Sequence, residues 1–557
     1  MFEDTGLKGY LNGSIIMPVA LGIVSGGCCH TFLNSGEFSF ASPGLYLSIA
    51  IHCALMCVLF ILADKLISFL ERRGGHGEAP SRVALGKLIP GLEWKRHDII
   101  LASAIIFICW LPYLLSLFPG IYWMDTSHQT TWVIDDPAQI SEWQPLMTTF
   151  LYGFFAKMGI AIADNALLGL FVLIFLQAVL TALAFSTSIC HLERWGIGPK
   201  GRLALFVFVA LFPAYPCMVA TLVKETLAIP FLLFMFVQFS EILRTRGHCA
   251  SKAGYCTLLA LCLVCFNLMR KVDVYIALLS FAAVLIAVDG PKLKARVMAT
   301  VIAACVVSNV LFPLCVESAM PVRPDGGQEM LSVPMQQVAN VVRNHPDSFD
   351  LAERGVIDDT YLMGFAGIPD AYAWHIADGV KGYEEAPNAR YDDFMGLYLR
   401  HMLPDLGDYT GAWNSLAAGW FIFDQDNTVF YSMDSTWVSS GFKELPGYVP
   451  RPYGASAAQL VSSALSSFPF TSFLFQRSLW ASLLLAFCLY RIARLGRGRR
   501  EDGARGLILL VPALLSFAVL LVGPTSLALE ATRYVWSLMC LMPFCLAMII
   551  VDTRHAG

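Results

Sequence analysis

Hydrophobic residues fall in long blocks along this chain, cut by short polar links. Blocks near 14–33, 44–70, 99–118, 166–189, 202–222, 226–243, 254–269, 273–289, 297–315, 475–492, 507–523 and 534–552 are apolar enough to cross a bilayer as helices. The first has no basic segment ahead of it, only Glu3, Asp4 and Lys8, so it reads as an uncleaved span rather than a signal peptide. The stretch 316–474 breaks the pattern. It is richer in Asp, Pro and Tyr, and within it Gln336–Val342 and Phe394–Leu403 read as short amphipathic helices between Pro and Gly turns. The prediction is an all-α polytopic membrane protein of about twelve transmembrane helices, carrying an inserted mixed, mainly helical domain. Its parts are a transmembrane region over 1–315, the insertion over 316–474 and a C-terminal transmembrane region over 475–557.

Charge gives this layout an orientation. Arg72, Arg73, Arg82, Lys87, Lys95 and Arg96 share one link; Arg194, Lys200 and Arg202 the next on that side; then Arg244, Arg246 and Lys252; then Lys292, Lys294 and Arg296; and finally Arg491, Arg494, Arg497, Arg499, Arg500 and Arg505. These links alternate as the positive-inside rule requires, with both termini cytoplasmic and the insertion outside, in a plasma membrane. The block Leu146–Ala163 would invert every later link if it crossed, so it is expected to be an interfacial or re-entrant helix on the external face. Composition agrees: 57% of the 557 residues are hydrophobic and 14% charged, against about a quarter charged in soluble domains. A formal charge of −4 gives no reason to expect nucleic acid as a partner. The sixteen cysteines fall largely in apolar runs and none lies between Val316 and Gln476, so the insertion is expected to hold without disulfides. Cys262 and Cys265 form a C-x-x-C inside an apolar helix, where packing is the natural role.

A few basic residues sit on the other side, in turns too short to need charge for solubility. They are Lys224, followed by Glu225; Arg270 and Lys271, followed by Asp273; and Arg533, followed by Tyr534. At one membrane depth they would form an anion site at the lipid boundary, or would snorkel to headgroups. The external loop 119–165 supplies the acids. Asp125 stands just beyond a span in Pro119-Gly120-Ile121-Tyr122-Trp123-Met124-Asp125-Thr126-Ser127-His128-Gln129, and could accept a proton, bind a cation or cap a helix. Asp135 and Asp136, with His128, are weak candidates for a divalent cation such as Mg or Mn, and Trp143-Gln144-Pro145 closes the loop. There is no Walker motif, G-x-G-x-x-G or H-E-x-x-H.

On these residues the chain resembles the GT-C superfamily of membrane glycosyltransferases, which use polyprenyl-phosphate sugars and carry an essential Asp early in the first external loop, ahead of an interfacial helix. It is most similar to uncharacterised bacterial members opening with P-G-x-x-x-x-D-[ST]-x-x-Q, matched by Pro119, Gly120, Asp125, Thr126 and Gln129. Phe212-Pro213, Val223-Lys224-Glu225 and Pro334-Met335-Gln336-Gln337 fit further segments, and Arg270-Lys271 fits one in part. Departures are Trp143-Gln144 where His-His is expected, and Glu225 where Asp is expected.

The resemblance implies an enzyme of cell-envelope polysaccharide biosynthesis. It would move a sugar from a polyprenyl phosphate to an extracytoplasmic glycan, lipid or protein, with membrane lipids around it. Asp125 would be its general base, and Lys224, Arg270, Lys271 and Arg533 would bind the donor phosphate. Glu225, His128, Gln129, Gln144 and Tyr534 would support or position the acceptor. Trp374, Tyr383, Trp413 and Trp420 in the insertion could stack on sugars or simply fill a core. Alternatives are an O-antigen polymerase or ligase acting on diphosphate-linked glycans, and a transporter or lipid flippase. No repeat between the halves supports the last.

Overall fold

The computed structural model describes residues 15–74, 91–324, 326–424, 428–429, 438–495 and 500–552. Arg82, Lys87, Arg497, Arg499 and both chain ends, which bear on the expected orientation, lie outside the described residues. Nine helices among the described residues are long and apolar enough to cross a membrane: Ile16–Leu33, Pro43–Phe69, Arg96–Ser116, Leu146–Ala163, Ala166–Trp195, Lys224–Arg244, Gly290–Ala319, Gly503–Leu521 and Leu529–Ile550. Their faces away from the core expose Leu47, Leu55, Leu62, Ile108, Leu176 and Ile302, the pattern of helices solvated by lipid. The chain is an all-α, multi-pass membrane protein.

The count differs from twelve for local reasons. The run 202–222 is not one helix: Pro199–Leu211 ends at Phe212, a six-residue helix follows over Ala214–Val219, and then a two-residue strand over Thr221–Leu222. Pro213 causes the break, because a residue before proline is driven to extended geometry, and Phe212 has ψ 110°. Ala253–Met269 and Asp273–Val284 are helical but short. The 475–492 run becomes a π-helical turn, Leu479–Leu483, leading into Leu484–Leu495, whose Arg491 and Arg494 both pair with the buried Asp64.

Leu146–Ala163 is a full helix joined to Ala166–His191 by a two-residue turn. Asp164 adopts left-handed geometry (φ 51°), and Asn165 caps the second helix by accepting from the Leu168 amide at 2.9 Å. The pair pack back to back at glycines. A Cβ on Gly169 would sit 1.9 Å from the Phe155 carbonyl, and one on Gly159 would sit 2.6 Å from the Gly169 nitrogen. Small residues at such a crossing let two backbones touch.

The insertion contains the two expected helices, as Ser332–Asn344 and Tyr391–His401. Its first part has a core of its own, built on Val338, Ile357, Tyr361, Ile368, Phe394 and Leu397. Its second part shows none among the described residues. Trp420, Phe442, Ala455 and Ala458 belong to the core of the long helices, so the stretch packs as a cap on the membrane body. Asn414 Nδ2 donates to Thr31 Oγ1 at 3.3 Å and Ser25 Oγ donates to the Phe421 carbonyl at 2.9 Å, fastening the cap to the first helix. All sixteen cysteines are free thiols.

Candidate functional site

A small parallel pairing organises the site. Ile121 faces Thr221 and Tyr122 faces Leu222, joining the first loop to the link between two later helices. Each two-residue strand then feeds a helix, Met124–Ile134 on one side and Lys224–Arg244 on the other. The register therefore delivers Asp125 and Lys224-Glu225 side by side, each in the first turn of its helix. Thr126 Oγ1 donates to the Leu222 carbonyl, Gln177 Nε2 donates to the Val219 and Thr221 carbonyls (2.8 and 3.2 Å), and Thr226 Oγ1 donates to Gln177 Oε1 at 3.1 Å. Buried hydrogen bonds of this kind hold a loop as firmly as regular structure does.

The last helix, Thr532–Asp552, brings Arg533 into the same place. Arg533 Nη1 donates to Asp125 Oδ2 at 2.9 Å, and Lys224 Nζ lies 3.3 Å from that oxygen. Arg533 Nη2 donates to the Tyr534 hydroxyl at 3.0 Å, and its Nε faces Glu225 Oε1 at 3.9 Å. The guanidinium also lies over the Trp123 ring (5.7 Å), which stacks on Trp536. Lys224 Nζ donates to Gln144 Oε1 at 2.7 Å, so the glutamine standing at an expected histidine touches the cluster directly.

Arg270 caps the end of Ala253–Met269, its Nη1 3.5 Å from Asp273 Oδ1 and 3.4 Å from Ser537 Oγ, one helical turn beyond Arg533. Lys271 is exposed beside it. Met124–Ile134, Lys224–Arg244, Asp273–Val284 and Thr532–Asp552 thus all begin at this cluster. Unpaired amides and aligned dipoles at helix starts favour anions.

Burial pushes the Asp125 carboxyl up, but Arg533 and Lys224 more than reverse this and hold it well below the usual carboxylate range. His128, half-buried against Trp132 and Trp143, has its pKa lowered by burial, with Asp125 opposing. Gln129 serves the scaffold, donating to Thr148 Oγ1 at 3.1 Å. Asp135 and Asp136 are exposed, and Asp136 uses both oxygens locally, on the Ala138 amide (3.2 Å) and on Gln139 Nε2 (3.1 Å). Among the described residues no three His, Cys, Asp or Glu side chains gather as a ligand set. Asp125 Oδ2 is already held by two protein cations.

Of the four aromatics in the insertion, Trp413 and Trp420 donate their ring N–H groups to the Leu521 and Leu520 carbonyls, and Trp374 packs edge-on to Phe32. Those three are packing residues. Tyr383 is 65% exposed and within electrostatic reach of Asp125 and Glu530; burial first, then Asp378, raises its pKa. The cap is fastened to the link before the last helix by the Ala377 amide donating to the Pro524 carbonyl (2.9 Å) and Thr525 Oγ1 donating to the His375 carbonyl (2.8 Å).

Two contributors escaped the sequence reading, and a third, Asp273, was named there without a role. Asp273 is the buried partner of Arg270. Tyr152, in what reads as a plain apolar run, is buried within reach of Glu225, Asp125 and Arg533. Arg477 is wholly buried at the start of a helix: Nε donates to the Thr428 carbonyl (2.9 Å), Nη1 to those of Ser526 (2.7 Å) and Ala528 (2.9 Å), and Nη2 to that of Leu529 (3.3 Å). It fixes the segment that leads into Arg533. Arg477→Met should orphan these carbonyls at about 1–3 kcal/mol for each that stays dry. A thermal midpoint in detergent several degrees lower is expected; an unchanged midpoint would show the segment is held by other means.

Residues 132–557 match a family of unknown function, DUF6020. The chain belongs to that family. The DUF6020 match takes in Lys224, Glu225, Arg270, Arg477 and Arg533, and starts after Asp125 and His128. No curated protein and no solved structure matches the chain.

Proposed function

We propose that this DUF6020 protein is a membrane glycosyltransferase of GT-C type, moving a sugar from a polyprenyl phosphate to an acceptor outside the cytoplasm. The observation that carries the reading is a single one. Asp125, from the first loop, lies within 3.3 Å of both Lys224 and Arg533, where four helices begin.

In this reading the helices 253–269, 273–284 and 477–495 and the broken segment 199–219 also cross the membrane, while 146–163, an unbroken helix, lies at the external interface. The twelve crossings then put the cluster and the cap outside and the termini in the cytoplasm. The donor phosphodiester draws Lys224 and Arg533 away from Asp125, with Arg270 and Lys271 near the same opening. Freed of its counter-ions, Asp125 becomes basic enough to take the proton of the acceptor hydroxyl. That oxygen attacks the anomeric carbon, the glycosidic C–O bond breaks, and the electron pair leaves with the lipid phosphate. Glu225, Gln144 and Tyr534 hold the cations in place, and a divalent cation, if used, would arrive with the phosphate. Tyr383 faces the acceptor side from the cap.

The test is transfer by the full-length protein in proteoliposomes, from labelled sugars carried on polyprenyl monophosphate or diphosphate. Turnover confined to the monophosphate donor is expected. Turnover confined to the diphosphate would move the protein to the O-antigen polymerase or ligase class. Lipid movement without transfer would make it a flippase.

A further inference from the structure

At the other end of Lys224–Arg244, away from Asp125, a groove of about 750 Å³ runs between that helix, Ala166–His191 and Ala253–Met269. It is polar at one end and apolar at the other. Phe231, Phe234, Leu261 and Cys265 line the apolar end; Arg194, Glu241, His248 and Lys252 stand at the polar end. From Phe231 to Thr245 it follows about 21 Å of helix at 1.5 Å per residue. That matches one leaflet, about 15 Å of hydrocarbon plus its headgroup layer.

The mouth carries excess positive charge. Arg194 and Arg244 both pair with Glu241, at 2.8 Å each, so two cations share one carboxylate. His248 faces Asp289 at 3.4 Å, and the exposed Lys252 adds a further cation.

We propose that the groove binds an anionic phospholipid. One acyl chain lies along the Phe231–Cys265 wall and the phosphate meets Arg194 and Lys252. The site is separate from the Asp125 cluster and does not depend on the activity assigned there.

Native mass spectrometry of the full-length protein, stripped stepwise of lipid in the presence of phosphatidylglycerol or phosphatidylcholine of equal chain length, tests it. Phosphatidylglycerol should be retained at least fivefold better. Lys252→Gln should cut that preference to twofold or less, and Cys265→Trp, which fills the apolar end, should cut retention of phosphatidylglycerol at least fivefold. Equal retention of the two lipids by the unaltered protein would overturn the proposal. So would a preference that survives both substitutions in proteins whose thermal midpoints match the parent. Should either variant fold poorly, the comparison in the unaltered protein still decides.

Discussion

Asp125→Asn should lower sugar transfer by about 10²–10⁴-fold, the usual range for loss of a positioned general base. The expectation follows from how charge moves. In the resting site three acids, Asp125, Glu225 and Asp273, stand among three bases, Lys224, Arg270 and Arg533. In the proposed transfer the lipid phosphate would gain a negative charge as it leaves, and Asp125 would lose one as it takes the acceptor proton. The local charge is conserved across the step, and the freed cations follow the charge to the phosphate. Asparagine cannot make that exchange, and it leaves two cations without their shared carboxylate. Asp125→Glu, which keeps the charge at altered reach, separates chemistry from folding: a stable Glu variant with partial turnover beside an inactive Asn variant supports the base role. Undiminished turnover in Asp125→Asn would remove this residue from the mechanism.

The same carboxylate predicts a pH profile. Arg533 and Lys224 hold Asp125 below the usual carboxylate range, so its ionised form persists to lower pH than an ordinary aspartate near 3.9. The acid limb of kcat/KM, which reports the free enzyme, should therefore fall below about pH 4. In the donor complex the phosphate competes for both cations, so the acid limb of kcat should lie at higher pH. Coincident limbs would mean that the donor does not engage these cations.

Much of this site was legible because charge at the span ends opposite the basic links is rare and needs a reason. Lys224, Arg270 and Arg533 stood out on that ground alone, and Asp125 by its place after the third apolar block. What joined them was not legible. Two residues per strand are too few to produce alternation, so the 121–122 and 221–222 pairing left no signal. Arg477 looks like the last polar residue before an apolar block, and only the fold brings four carbonyls around it. Tyr152 carries its hydroxyl in a run where an aromatic ordinarily means packing. The twelve apolar blocks were largely right as helices. The one at 202–222 was misjudged because hydropathy averaging does not register the conformational demand of Pro213 on Phe212. The insertion was misjudged as a unit because composition reports polarity, not which core a residue joins; its second half shares the core of the long helices.

Arg533→Lys should be nearly as damaging as Arg533→Gln, with about a 10²–10³-fold loss in kcat/KM for either, because the site uses the shape of the guanidinium as well as its charge. Nη1 holds Asp125, Nη2 holds the Tyr534 hydroxyl, Nε faces Glu225, and the flat face covers Trp123. An ammonium can satisfy one of those directions at a time, and it lacks the planar surface that stacks on an indole. Lys224 is the contrasting case. It is a point charge on a flexible stem, held by Gln144 and Asp125, and Lys224→Arg should retain a measurable share of activity. The kinetics then distinguish binding from chemistry. If Arg533 binds the donor phosphate equally in ground and transition states, its loss raises KM with kcat unchanged; if it follows the charge on the leaving group, kcat falls as much as kcat/KM. The charge exchange with Asp125 requires the second outcome. Full activity in Arg533→Lys would reduce this residue to a simple counter-ion.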